Sequence, residues 1–305
     1  MKNYIEVPNS DSVNVHETNG SLFGFAADEV FKIDTVTDAE ARGMNLTDLD
    51  RLIILAVNNF RVITSALLLA YFGKLSVDGV SEGSIKRHLD NLSKASFLQS
   101  SRLVRVGSTS SIRVFSLGFR GKGWIGASGV AMGNMAGYIS SFKGDSTRIK
   151  KILSAVQYVI RSTDEKKDFL INRKIWVPDS ATDLGFRADA VIFDKIHTQV
   201  LFSVRDDMNG LHALPEKLNR AFSVFSAQKA SVEFISPEIV IVCENVDHMK
   251  HVMKVLGKKE YRYPIYYTCD TLVYSNPRQC VFALARPEPA QRQKTFIGRL
   301  IDMIS

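Results

Sequence analysis

Between Thr47 and Leu117 the apolar residues repeat first at helical and then at strand spacing, and this order narrows the possible folds sharply. Thr47-Asp48-Leu49-Asp50 supplies a capping threonine and first-turn acids, and Leu49, Ile53, Leu55 and Val57 extend an apolar pattern to about Asn59. A second helix is predicted from Ala66 to Phe72, stopped by Gly73. A third, capped by Ser81, places Ile85, Leu89 and Leu92 at i, i+4 and i+7 and leaves Ser84, Lys86, Arg87, Asn91 and Lys94 on its other faces. Two alternating runs, Phe97 to Val106 and Ile112 to Leu117, flank the polar tip 107–111 and predict a hairpin displaying Arg102, Arg105 and Arg113. Three helices and a basic hairpin are the layout of a winged helix-turn-helix, whose third helix enters the major groove while the wing lies on the backbone.

Charge supports this expectation. Residues 84–122 hold eight Lys and Arg, among them Arg120 and Lys122 beyond the hairpin, against Asp90 alone, a net +7. Residues 1–50 hold three basic and ten acidic residues, a net −7. The whole chain of 305 residues is also +7, so the total conceals an acidic arm and a basic segment of the kind expected on a polyanion-binding surface. His88, within the third helix, is expected to fill space rather than contact DNA.

A chain with 45% hydrophobic and 23% charged residues buries real cores, which excludes a largely disordered or collagen-like protein. Cys243, Cys269 and Cys280 are too few and too scattered for a disulfide framework. With no apolar N-terminal stretch to act as a signal peptide, this suggests a cytoplasmic, nucleoid-associated protein. The uncharged run Trp124 to Phe142 is interrupted by glycines and is expected to pack closely rather than to span a membrane.

Beyond Asp145 the pattern changes. A helix with Ile149, Ile152, Leu153, Val156, Val159 and Ile160 on one side precedes strands at Phe169 to Val177, Ala188 to Phe193 and Thr198 to Val204. Then come a helix from about His212 to Ala227, a strand Ile239 to Cys243, a helix Val246 to Leu256, and strands near Ile265 to Thr268 and Val281 to Ala285. That order fits a restriction-endonuclease-like domain. Metal-dependent phosphodiester cleavage needs carboxylates around a divalent cation and usually a lysine beside the attacking water. Asp189 stands where the first acid belongs, but the expected Glu-x-Lys pair is replaced by Ser203-Val204-Arg205, and an arginine does not deprotonate to act as a base. Asp206, Asp207 or Glu216 would have to supply a migrated carboxylate. His248 and His251, three apart on a helix, are a weaker candidate for metal ligation.

With Arg187-Ala188-Asp189-Ala190, Leu201-Phe202-Ser203-Val204-Arg205-Asp206, and Glu216-Lys217-Leu218 followed by Phe222 and Phe225, the chain resembles the replication-relaxation family of plasmids, phages and conjugative elements. It departs from that family's pattern in lacking the proline before Asp189 and the glutamate at the end of the following strand.

The expected fold is therefore α+β: an acidic, flexible arm (1–45), a winged helix-turn-helix (46–122), a Gly-rich connector (123–145), and a nuclease-like α/β domain with a mixed sheet (146–305). The expected function is sequence-specific recognition of double-stranded DNA by a homodimeric transcription regulator without cofactor, with Ser84, Lys86, Arg87, Asn91, Lys94, Arg102, Arg105, Arg113, Arg120 and Lys122 on the DNA. The arm is expected either to cover the basic surface or to meet a protein partner. The alternatives are a Mg²⁺-dependent endonuclease using Asp189, Asp206 and Glu216, or a replication or conjugation accessory protein that binds an origin.

Overall fold

The computed structural model describes residues 31–36, 45–105, 111–128, 146–162, 168–178, 184–193, 196–205, 208–227, 230, 232–257, 261–275 and 282–283. They form a mixed α+β structure with two sheets. The first part opens with strand β1 (Phe31–Val36), followed by α1 (Asp48–Phe60), β2 (Ile63–Thr64), α2 (Ser65–Lys74) and α3 (Glu82–Lys94). Strands β3 (Leu98–Arg105) and β4 (Ser111–Leu117) then make the expected hairpin, and α4 (Phe119–Ala127) leaves it. The sheet order is β1-β3-β4-β2, antiparallel throughout.

Local chemistry sets these boundaries. Thr47 and Asp50 close a reciprocal capping box on α1. Thr64 and Ser81 accept backbone N–H groups of Leu67 and Ser84 at the starts of α2 and α3. Gly118 and Gly121 let α4 start directly against the chain entering β3, where a Cβ would overlap the carbonyl oxygens of Ser96 and Phe97.

Two expectations are corrected. The stretch 1–45 is not wholly an irregular arm: Phe31–Val36 is a strand that pairs along the outer edge of β3. That register sets Asp34 opposite Arg102, and β1, with one lysine and one aspartate, covers the open edge of the basic hairpin. The start of the expected connector is helical to Ala127, and the packing glycines Gly129, Gly133 and Gly137 lie outside the described residues.

The second part comprises α5 (Ser146–Ser162), β5 (Asp168–Trp176), β6 (Gly185–Phe193), β7 (Thr198–Ser203), α6 (Met208–Phe225), β8 (Glu238–Cys243), α7 (Val246–Leu256), β9 (Ile265–Cys269), α8 (Asp270–Ser275) and β10 (Phe282–Ala283). Its sheet order is β10-β9-β8-β7-β6-β5, mixed, with β7, β8 and β9 parallel to one another. Ile149, Ile152, Leu153, Val156, Val159 and Ile160 are all buried, as the spacing predicts. Helix α5 packs on β5, β6, β7 and α8, and it also meets α2. Lys74 of α2 donates to the carbonyl oxygen of Ile160 at 2.9 Å, and the ring of Phe60 stacks on that of Phe169 with centroids 5.1 Å apart. The buried residues of the two parts therefore form one continuous core. Among the described residues no helix is long and apolar enough to cross a membrane.

Candidate functional site

On α3, the buried Ile85, Leu89 and Leu92 fix the helix orientation, while Lys86, Arg87, Asn91 and Lys94 are exposed and Ser84 is partly so. Two polar contacts hold this orientation. Nδ1 of His88 donates to Oδ1 of the fully buried Asp50 on α1 at 2.7 Å. Asp50 also accepts from the backbone N–H and hydroxyl of Thr47. Burial pushes the Asp50 carboxyl up, but the hydrogen bonds from His88 and Thr47 outweigh it and hold the group below its ordinary value. On the other side, Arg113 of β4 donates to Asp90 of α3 and, at 3.3 Å, to the hydroxyl of Ser100, with its guanidinium 5.0 Å over the Phe115 ring.

The predicted DNA contacts thus divide into two groups. Arg87, Asn91, Lys94 and Arg102 are exposed, and Lys86 is exposed while paired with Glu82 at 2.6 Å, a surface ion pair that holds it weakly. Arg113, by contrast, braces the hairpin against α3. Arg120 lies 4.7 Å over the Phe97 ring and donates to the Ala95 carbonyl, and Lys122 is partly buried. The side chain of Arg105 lies outside the described residues.

The second charged site is a cleft of about 640 Å³ between α5, α6 and the β5–β7 edge of the large sheet. Thr147, Arg148 and Lys151 reach it from the first turns of α5, Arg187 and Asp189 from β6, and Lys217 and Arg220 from α6. Arg187 and Asp189 are two apart on a strand and so share a face. Pairing of β5 with β6 is interrupted at Asn172, opposite Asp189, between the pairs Ile171↔Ala190 and Arg173↔Ala188. Asn172 has φ 49, left-handed backbone that asparagine tolerates better than most residues, and both its carbonyl oxygen and Oδ1 accept from Nη1 of Arg187, at 3.2 and 3.3 Å. Asp189 accepts the backbone N–H of Ser203 at 2.7 Å. Burial pushes the Asp189 carboxyl above its ordinary value, against the opposing pull of that hydrogen bond and of Lys151, Lys217 and Arg205.

Of the further carboxylates proposed from sequence, Glu216 alone falls among the described residues. Glu216 is exposed and bonds Arg220 one turn on, at 2.7 Å, while Asp206 and Asp207 lie outside the described residues. Among the described residues no three His, Cys, Asp or Glu stand close enough to hold a metal ion. Asp189 is the one carboxylate among the described residues that line the cleft, and the other charged side chains there are cations. His248 instead faces Glu244 at 3.8 Å, and His251 is exposed.

Ser203 and Arg205, read from sequence as a degraded catalytic pair, belong to a buried network at the ends of the parallel strands. Nη1 of Arg205 donates to Oδ2 of Asp270 at 2.6 Å, and Nη2 donates to the Ser203 hydroxyl at 2.7 Å. Ser154 and Gln157 of α5 donate to the carboxylate and the carbonyl of Asp270, and Lys150 pairs with Glu244 at 3.4 Å. Sequence reasoning missed this network. Its signal is that each buried strand is followed within two residues by a charged one: Arg205 after β7, Glu244 after β8 and Asp270 after β9. Phe222 and Phe225, singled out by the family resemblance, join an aromatic cluster with Phe186, Phe234 and Tyr263 that seats α6.

Comparison with known families, curated proteins and solved structures finds no match for the chain.

Proposed function

We propose that this chain is a sequence-specific double-stranded DNA-binding protein, a transcription regulator of a bacterial genome or mobile element. Helices α1–α3 and the β3–β4 hairpin act as its winged helix-turn-helix, and the nuclease-like second part acts as a scaffold for dimerisation or further contacts. The observation that carries this reading is α3 itself: Arg87, Asn91 and Lys94 are exposed on a helix braced from both sides by His88–Asp50 and Arg113–Asp90. An exposed cationic helix held in one orientation suits the major groove, and Arg102 on the hairpin suits the flanking phosphates.

The test is selection of a preferred duplex from a random pool, followed by anisotropy titrations over a range of salt concentrations. Lys86→Ala with Arg87→Ala removes discrimination between selected and random duplex, whereas Arg102→Ala weakens both alike and lowers the salt slope by about one. Equal affinity of the double variant and the parent for the selected duplex would overturn the reading. Cleavage of supercoiled DNA in Mg²⁺ that disappears in Asp189→Ala would replace it with a nuclease.

A further inference from the structure

The cleft is distinct from α3 and the hairpin, and cations predominate among the described residues that line it. Five cations line it, Arg148, Lys151, Arg187, Lys217 and Arg220, against the single carboxylate of Asp189. Of these, Arg220 is paired with Glu216 on the rim at 2.7 Å. The cations come from three elements, and the α5 contribution lies at the N-terminal end of a 17-residue helix, where the backbone adds partial positive charge. Arg187 is held by two neutral oxygens of Asn172, which orient the guanidinium without neutralising it. The lining also includes the apolar Phe186, Phe202 and Leu214. A cleft of about 640 Å³ is the size of small-ligand sites in general.

We propose that this cleft is a phosphate-binding site, taking the phosphates of a nucleotide or of a nucleic-acid strand, with Asp189 as an internal counter-charge rather than a metal ligand. Arg187 supplies a planar fork suited to two phosphate oxygens, and Lys217 and Lys151 supply point charges around it. Ser203 keeps Asp189 turned toward the strand backbone by donating its N–H. The site stands independently of α3.

The experiment uses the full chain carrying Lys86→Ala and Arg87→Ala, so that the contribution of α3 is removed, and follows a fluorescein-labelled single-stranded oligonucleotide by anisotropy with ATP as competitor. Adding Arg187→Ala with Lys217→Ala is expected to weaken binding at least tenfold and to reduce the salt slope by about 1.4, two phosphates on a single strand. Lys217→Arg retains binding, and Asp189→Asn strengthens it, with or without EDTA. Displacement of the oligonucleotide by ATP assigns the phosphates to a free nucleotide, and failure of ATP to compete assigns them to a strand. No binding of either probe overturns the proposal, as does unchanged affinity after loss of Arg187 and Lys217. Binding that requires Mg²⁺ and is lost in Asp189→Asn overturns it in favour of a metal site. Because the parent chain with α3 intact is titrated in parallel, failure at α3 and failure at the cleft are separate results.

Discussion

Two clusters of charge lie on either side of β7, and they differ in how their charges are balanced. In the network around Arg205, cations meet carboxylates one for one: Arg205 with Asp270, and Lys150 with Glu244. In the cleft around Asp189, the described lining residues include five cations and one carboxylate, and Glu216 on the rim pairs with Arg220. Neighbouring residues feed opposite clusters. Lys150 turns to the network and Lys151 to the cleft, and Ser203 gives its backbone N–H to Asp189 while its hydroxyl accepts from Arg205. The closed cluster joins strand ends to α5, as a structural element should. The other lines a cleft between α5, α6 and the sheet. The same contrast recurs on α3, where His88 is closed on Asp50 and Arg87 is open.

The largest effect should come from breaking the closed cluster. Asp270→Ala strands the Arg205 guanidinium in the interior and is expected to cost about 3–5 kcal/mol in urea unfolding. Changing Asp270→Leu together with Arg205→Met should recover most of that loss, because a buried pair replaced by apolar residues leaves no uncompensated charge.

His88→Ala comes next, leaving part of the Asp50 hydrogen-bonding capacity unused at a cost of about 1–3 kcal/mol. The Asp50 carboxyl lies below its ordinary value in the folded chain, so its contribution is present at neutral pH and is lost as pH falls through the ordinary aspartate range and then through the Asp50 value. The stability difference between parent and His88→Ala should therefore narrow in acid, as pH-dependent thermal unfolding would show.

Asp189→Asn tests the open cluster with the opposite sign. The Asp189 carboxyl is raised, so the folded chain favours its protonated form, and the stability associated with it is highest at low pH and declines as pH rises through the raised value. The asparagine variant should unfold at the same or a higher temperature than the parent at neutral pH and lack that decline. A marked drop in its midpoint would place Asp189 among the closed contacts. The smallest effect is Glu216→Gln, which loses an exposed i, i+4 pair and about 0.3–0.5 kcal/mol.

Much of the first part was legible in the sequence because its signals are local. Ser81 as a cap and Ile85, Leu89 and Leu92 on one stripe predict the start and buried face of α3, and the two alternating runs match β3 and β4 to within a residue. Strand β1 escaped because six alternating residues lie within a strongly acidic stretch, and α8 because six residues complete fewer than two helical turns. The candidate sites were harder to see. Asp189 was identified by its strand, but the cations around it stand on α5, β6 and α6, up to 72 positions apart between Arg148 and Arg220, and only folding assembles them. Ser203-Val204-Arg205 shows the converse: a pattern compared with a catalytic motif suggested loss, whereas the hydrogen bonds show a different use.

The packing of α2 and α1 against α5 and β5 bears on how such a chain can be handled and recombined. A segment rich in glycine between 123 and 145 invites a cut that would separate the first part from the second. Phe60, fully buried, would then lose Phe169 from its face, and Lys74 would lose its acceptor at Ile160. Neither half would keep a complete apolar interior. The helices that resemble a portable module are sealed to this partner, and a functional swap between relatives would have to exchange α5 and β5 together with them.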